Sequence, residues 1–232
     1  DNFDNFKAEL VFKHGELIFD GKMRDFPATE IEQPLLTRAR NSFKVSQLCQ
    51  DDFAANKPLG VIGLVAGEIV SIDCGVADKI DVDKDILKIA IVERHNNTHH
   101  IGIGYIKGYG LKQGAVATSV SHDSHNIIAV GVSDREICSA VNEVVKCNGG
   151  IVVMRDGEVL GELTLPIAGI MSDDTLENVN RELENAKSCA FELGVSRQID
   201  PFMTLSFMSL PVIPTLRITT HGIFNVVKWQ YV

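Results

Sequence analysis

Residues Ile86-Leu-Lys-Ile-Ala-Ile-Val92 form a near-continuous apolar run. Such a segment has no face to give to water, so it predicts a central strand covered on both sides. Two further apolar runs, Gly114-Ala-Val-Ala117 and Ile127-Ile-Ala-Val130, are each short enough for one buried strand. Between them stands Thr118-Ser-Val-Ser-His-Asp-Ser-His-Asn126. Six successive polar side chains, Ser121 to Asn126, thus interrupt what otherwise reads as core. Polar groups between core strands cost free energy unless they are hydrogen-bonded. Either the chain uses them chemically, or they form a polar turn whose histidines are satisfied by backbone carbonyls. The residues alone leave both readings open.

The rest of the sequence reads as framework for this stretch. Its 232 residues, 45% apolar, suit one large domain or two small ones with a sizeable core. A formal charge of -9 without any Lys/Arg cluster argues against a nucleic-acid partner. No apolar run approaches the ~20 residues a membrane-spanning helix needs, so no membrane partner is expected. Cys49, Cys74, Cys138, Cys147 and Cys189 are scattered, odd in number and never spaced C-x-x-C. That fits a reducing, cytoplasmic setting and argues against a disulfide framework or a thiolate zinc site. The opening Asp1-Asn-Phe-Asp-Asn-Phe6 is no initiator sequence, and the first Met is Met23. The expectation is a fragment of a longer protein.

In chain order, Ala8–Phe12 and Glu16–Phe19 predict a hairpin about a Lys13-His14-Gly15 turn. Pro27 and Pro34 break any long element, and 35–45 allows a short helix or turn. Strands are expected at Val61–Val65 and Glu68–Ile72, and an exposed loop at 78–85. Glu93-Arg94-His95 places three ionisable residues at the end of the central strand, where function often sits. The glycines at 102, 104, 108 and 110 alternate too regularly for a dinucleotide fingerprint and suit a strand followed by a turn. Ser133 with Glu136 predicts a capping box. It opens a helix with Ile137, Ala140, Val141 and Val144 on one face and a stop at Asn148-Gly-Gly150. Residues 151–163 repeat the hairpin pattern. A second amphipathic helix opens at Ser172-Asp-Asp-Thr175, with Leu176, Val179, Leu183, Ala186 and Ala190 as its stripe. The apolar, proline-punctuated segment 201–219 must pack on something. A turn over 219–225 and a last strand over 226–232 complete an α+β reading: mixed, strand-rich, with two amphipathic helices.

Several of these segments together resemble the bacterial and archaeal adenine deaminases of the amidohydrolase superfamily. They include Glu93-Arg94-His95, Gly108-Tyr-Gly-Leu-Lys112, Gly114 to Asn126, Ala140-Val-Asn142, Leu165 to Ser172 and Pro201 to Pro214. The likeness runs from about Ile86 to Val227. It implies conversion of adenine and water to hypoxanthine and ammonia by a metal-activated water. It also implies that residues 1–26 end a β-sandwich beside a catalytic barrel and that 27–232 are the C-terminal α+β domain. The barrel's His-x-His motif does not occur here, nor does the signature of the other zinc deaminase class. The divalent metal (Mn, Fe or Zn) would therefore have ligands mostly outside this chain. The partners implied are adenine, the barrel and further copies of the chain.

On this resemblance His122, Asp123 and His125 are candidate catalytic groups on a loop reaching the barrel mouth. Ser121, Asn126 and Glu93 are candidate substrate contacts. Imidazole and carboxylate suit proton transfer near neutral pH and also suit a metal, so His122, His125 and His95 are candidate ligands. Glu93 and His95 would join the cluster if their strand runs beside 114–120. The competing reading is an oligomerisation or lid domain in which the His/Asp cluster is structural.

Overall fold

The computed structural model describes residues 7–24 and 31–232. These fall into two compact units divided between Leu35 and Leu36. Asp1–Phe6 and the break expected at Pro27 lie outside the described residues. In the first unit β1 (Val11–Lys13) and β2 (Glu16–Phe19) pair antiparallel as expected. Gly15, at φ +83°, supplies the turn conformation that a side chain resists. A short helix, α1 (Gln33–Arg40), runs across the division and ends with two arginines, Arg38 and Arg40, in its last turn, where cations suit the helix dipole.

The second unit is built on one eight-stranded mixed sheet. Its strands are β3 (Leu59–Leu64), β4 (Ser71–Ala77), β5 (Ile86–Val92), β6 (Ile101–Lys107), β7 (Ala115–Thr118), β8 (Ile127–Gly131), β9 (Gly150–Arg155) and β10 (Glu158–Thr164). Their spatial order is β10-β9-β7-β8-β5-β6-β3-β4. Only the β3–β6 pair is parallel. Helix α2 (Asp134–Lys146) lies between β8 and β9; α3 (Leu176–Glu192) and α4 (Pro201–Met208) follow β10, and then a small sheet of β11 (Leu216–Thr219), β12 (Gly222–Asn225) and β13 (Gln230–Tyr231).

The sheet is the middle of three layers, which is why β5 carries apolar residues at almost every position. Its Ala90 and Val92 pack with Ile137, Val141 and Val144 of α2. Its Leu87, Ile89 and Ile91 join the other core, with Ala186 and Ala190 of α3, Leu205 of α4 and Ile218 of β11. The α+β expectation therefore stands, with α1 and α4 in addition to the two amphipathic helices. Helix α4 is apolar on every side and so shows no helical period. Its start is fixed by Asp200, whose carboxylate accepts the N–H groups of Phe202 and Met203, and by Pro201 in the first turn.

Other boundaries differ for local reasons. The strand expected from Glu68 begins at Ser71, because 65–70 forms the turn out of β3. Leu176 is 78% exposed and stands outside the α3 stripe. The segment 219–225 contains the turn of the β11–β12 hairpin and all of β12, and the final strand shrinks to Gln230–Tyr231. At α2, Ser133 accepts the Glu136 N–H as expected (3.2 Å). The Glu136 carboxylate does not return the bond; it is buried and accepts the Asp156 N–H at 3.0 Å.

Candidate functional site

The polar stretch 119–126 joins the C-terminal end of β7 to the start of β8, whose pairing closes at Thr118 opposite Ile128. Its entry is sewn into the core. The Ser119 hydroxyl donates to Gly169 O (2.6 Å) and accepts the Gly150 N–H (2.8 Å). Ser121 is fully buried, with its hydroxyl against that of Ser209 at 2.6 Å. The His122 N–H donates to Ser206 O (3.0 Å), and the His122 carbonyl accepts the Ser209 hydroxyl (2.8 Å). Helix α4 and its last turn thus hold the first half of the loop. The His122 ring lies 4.9 Å from that of Phe207 and 6.0 Å from that of His125.

The second half is held from β5. His125 takes a left-handed conformation, φ +49°, and its N–H reaches Ser121 O at 2.6 Å. Its Nδ1 accepts the Ser121 N–H at 3.4 Å, which favours the tautomer protonated at Nε2. Burial, then the neighbouring charges of His122 and Arg94, hold this imidazole below its ordinary pKa against the opposing pull of Asp123. His125 is therefore neutral at neutral pH, with its Nδ1 lone pair engaged and Nε2–H as its free donor. Asn126, nine-tenths buried, accepts the Arg94 N–H on Oδ1 (3.3 Å).

Asp123, Ser124 and Asn126 form one side of a 380 Å³ cavity. Opposite stand Leu210, Pro211 and Val212. Parts of the His-Asp-Ser-His-Asn and Leu-Pro-Val-Ile-Pro runs therefore line a single cavity, and His122 and His125 are not among its lining residues. The Asn126 Nδ2 donates to no group among the described residues and belongs to the side chain that lines this space.

The expected contributors are distributed differently. Strand β5 runs beside β8 and β6, with β7 one strand farther on, so the condition set for Glu93 and His95 is not met. His95 still reaches the loop, its Nε2 lying 2.7 Å from Ser124 O. Glu93 does not join it. Its carboxylate accepts the N–H groups of His95 (2.5 Å), Asn96 (2.9 Å) and Thr98 (3.1 Å) and the Thr98 hydroxyl (2.8 Å). Partial burial opposes its ionisation, but these donors prevail and keep its pKa below the usual value. Glu93 thus closes the 93–98 turn, and Ser121 anchors the loop from inside. Arg94, Ser206, Phe207 and Ser209 complete the site. Arg94 was visible in the sequence only as the middle of Glu93-Arg94-His95, three ionisable residues at the end of an apolar strand.

The residues do not fit a metal centre. With His95 Nε2 on a carbonyl, the three candidate imidazoles do not converge. Among the described residues the sole His/Cys/Asp/Glu trio with ligand atoms within 4.8 Å is Glu143, Cys147 and Glu162. There burial, then Glu162, push the Cys147 thiol up to about 12, and Lys146 pairs with Glu143 at 2.7 Å. That trio holds a protonated thiol and an already paired carboxylate.

Residues 67–230 match the family model described as the adenine deaminase C-terminal domain. Adenine deaminase 2 of Carboxydothermus hydrogenoformans is 40% identical over 242 aligned positions, which cover 100% of this chain and 42% of the relative. The adenine deaminase of Brucella anthropi is 39% identical, with the same coverage. That of Bacillus licheniformis is 45% identical over 152 positions, 66% of this chain and 26% of the relative. The chain thus spans about two fifths of the length of the first two relatives. With most of its length matched by one family model, the chain belongs to the adenine deaminase C-terminal domain family.

Proposed function

We propose that the full protein hydrolyses adenine to hypoxanthine and ammonia, and that this chain supplies loop 121–126 to the active site. The observation that carries the reading is the meeting of that loop with Leu210, Pro211 and Val212 across one cavity. Its chemistry suits a flat nitrogen heterocycle. Ile91, Leu210 and Val212 offer apolar walls to the ring faces. The Asn126 amide nitrogen is a donor for a ring nitrogen, and the Asp123 carboxylate is an acceptor for a ring or amino N–H. Deamination requires a proton to reach the departing amino group. His125, neutral and with Nδ1 engaged by Ser121, presents Nε2–H as a hydrogen-bond donor that can orient the water delivering that proton; His122 and Asp123 stand beside it in the loop.

The divalent metal that the family resemblance implies, Mn, Fe or Zn, is held in this reading by a barrel outside these residues, with 1–26 as the end of the adjoining sandwich. No helix among the described residues is long and apolar enough to cross a membrane. All five cysteines are free, which supports a reducing cytoplasm. The exposed Val227, Trp229 and Tyr231 support a surface covered by the barrel or by a second copy. The test is His122→Ala with His125→Ala in the full-length protein. Turnover should fall by roughly 10²–10⁴, with melting temperature and bound metal kept. Unchanged turnover and metal content would sink the reading.

A further inference from the structure

Arg94 is 2% exposed, and no carboxylate among the described residues pairs with it. A buried guanidinium without a counter-ion is unfavourable, and its Nη1 has no partner among the described residues. What the residue does have is reach. Its Nε donates to His125 O and its Nη2 to Ala168 O (2.9 Å). Its backbone N–H donates to Asn126 Oδ1 and its carbonyl accepts the Lys44 N–H (2.9 Å). One face lies on the Phe43 ring, 4.3 Å from its centroid. Gly169 leaves room for that stack: a Cβ there would stand 2.4 Å from the Phe43 ring and 3.1 Å from Arg94 Cζ.

We infer that Arg94 is a positioning residue for the reaction, a buried fork that fixes the His125 carbonyl and the Asn126 side chain, the latter at the cavity wall. The inference rests on the function proposed above. The loop's other ties, to Ser206 and Ser209, act at Ser121 and His122. From outside the loop, Arg94 is what secures the His125–Asn126 end, apart from the His95 contact to Ser124. Its planar set of donors spans two carbonyls at fixed angles, which a lysine ammonium does not reproduce.

Arg217 is the internal control. It is equally buried and also lacks a carboxylate partner. It donates to Ser71 Oγ (2.7 Å), Leu216 O (2.8 Å), Ile69 O (2.6 Å) and Pro214 O (3.2 Å). None of these belongs to loop 121–126.

The experiment compares Arg94→Lys, Arg217→Lys and Phe43→Leu in the full-length enzyme, reading kcat, KM, melting temperature and bound metal. Arg94→Lys should stay folded with its metal and lose kcat by about 10- to 100-fold, the scale of a small misplacement, with KM changing far less. Arg217→Lys should lose activity only as its folded fraction falls. If Arg94→Lys behaves as Arg217→Lys does, the inference is overturned. If Arg94→Lys does not fold, Phe43→Leu decides. A folded Phe43→Leu enzyme with lowered kcat supports the positioning role, and one with wild-type kcat refutes it. Loss of turnover in the His122/His125 variant with normal kcat in Arg94→Lys would defeat this inference alone. Normal turnover in the His122/His125 variant would defeat the functional reading beneath it.

Discussion

Lys88 and Arg94 lie six positions apart, one within β5 and the other just past its end, and both are buried. At the Lys88 end the ammonium donates to Phe53 O (2.8 Å) and pairs with Asp134 in the first turn of α2. At the Arg94 end there is no counter-ion, only carbonyls of the loop and of Ala168. A buried charge that has its opposite ties two elements together. A buried charge that lacks one is costly, and the cost makes sense where geometry matters more than stability. The N-terminal end of β5 therefore belongs to the architecture and its C-terminal end to the candidate site.

The comparison breaks if changes at the two ends give the same signature. The largest stability effect is expected at the Lys88 end. Asp134→Ala strands a buried ammonium and should cost roughly 3–5 kcal/mol in denaturant unfolding, with turnover per folded molecule unchanged. A collapse of turnover without loss of stability would reverse the assignment of the two ends.

A smaller effect sharpens the other end. Burial, His122 and Arg94 depress the His125 pKa below 6.5. The sign follows directly: the native state resists the proton that the unfolded chain takes up. Stability attached to this group is present above pH 6.5 and is lost as pH falls through the depressed native value. The neutral imidazole likewise persists below pH 6.5, so the acid limb of kcat/KM should lie below that value. His122→Asn removes one of the neighbours that depress His125 and should move the limb upward. A limb that does not move would detach His125 from the rate.

The two ends were not equally legible in the sequence. The apolar run 86–92, the flanking runs at 114–117 and 127–130, and the Ser133 cap fixed the sheet centre and α2, because period and capping are local properties. Helix α4 was hidden because apolar residues lie all around it, leaving no polar face to set its period. At the site, the residue types from Ser121 to Asn126 announced a polar cluster, and the resemblance supplied its chemistry. Which members face the cavity and which serve as anchors was not readable. That depends on Ser209, 88 residues beyond Ser121, and on strand order, which placed β8 rather than β7 beside β5. Arg94 stood in view between Glu93 and His95, but its role appears only when residues 43, 125, 126 and 168 come together around it.

The most direct measurement is hypoxanthine formation from adenine by these 232 residues alone, with and without added Mn²⁺, beside the full-length protein. The account predicts no turnover from the chain alone and turnover from the full-length form. Turnover from the chain alone would make His122, Asp123 and His125 a complete catalytic centre and would contradict the division of labour proposed here.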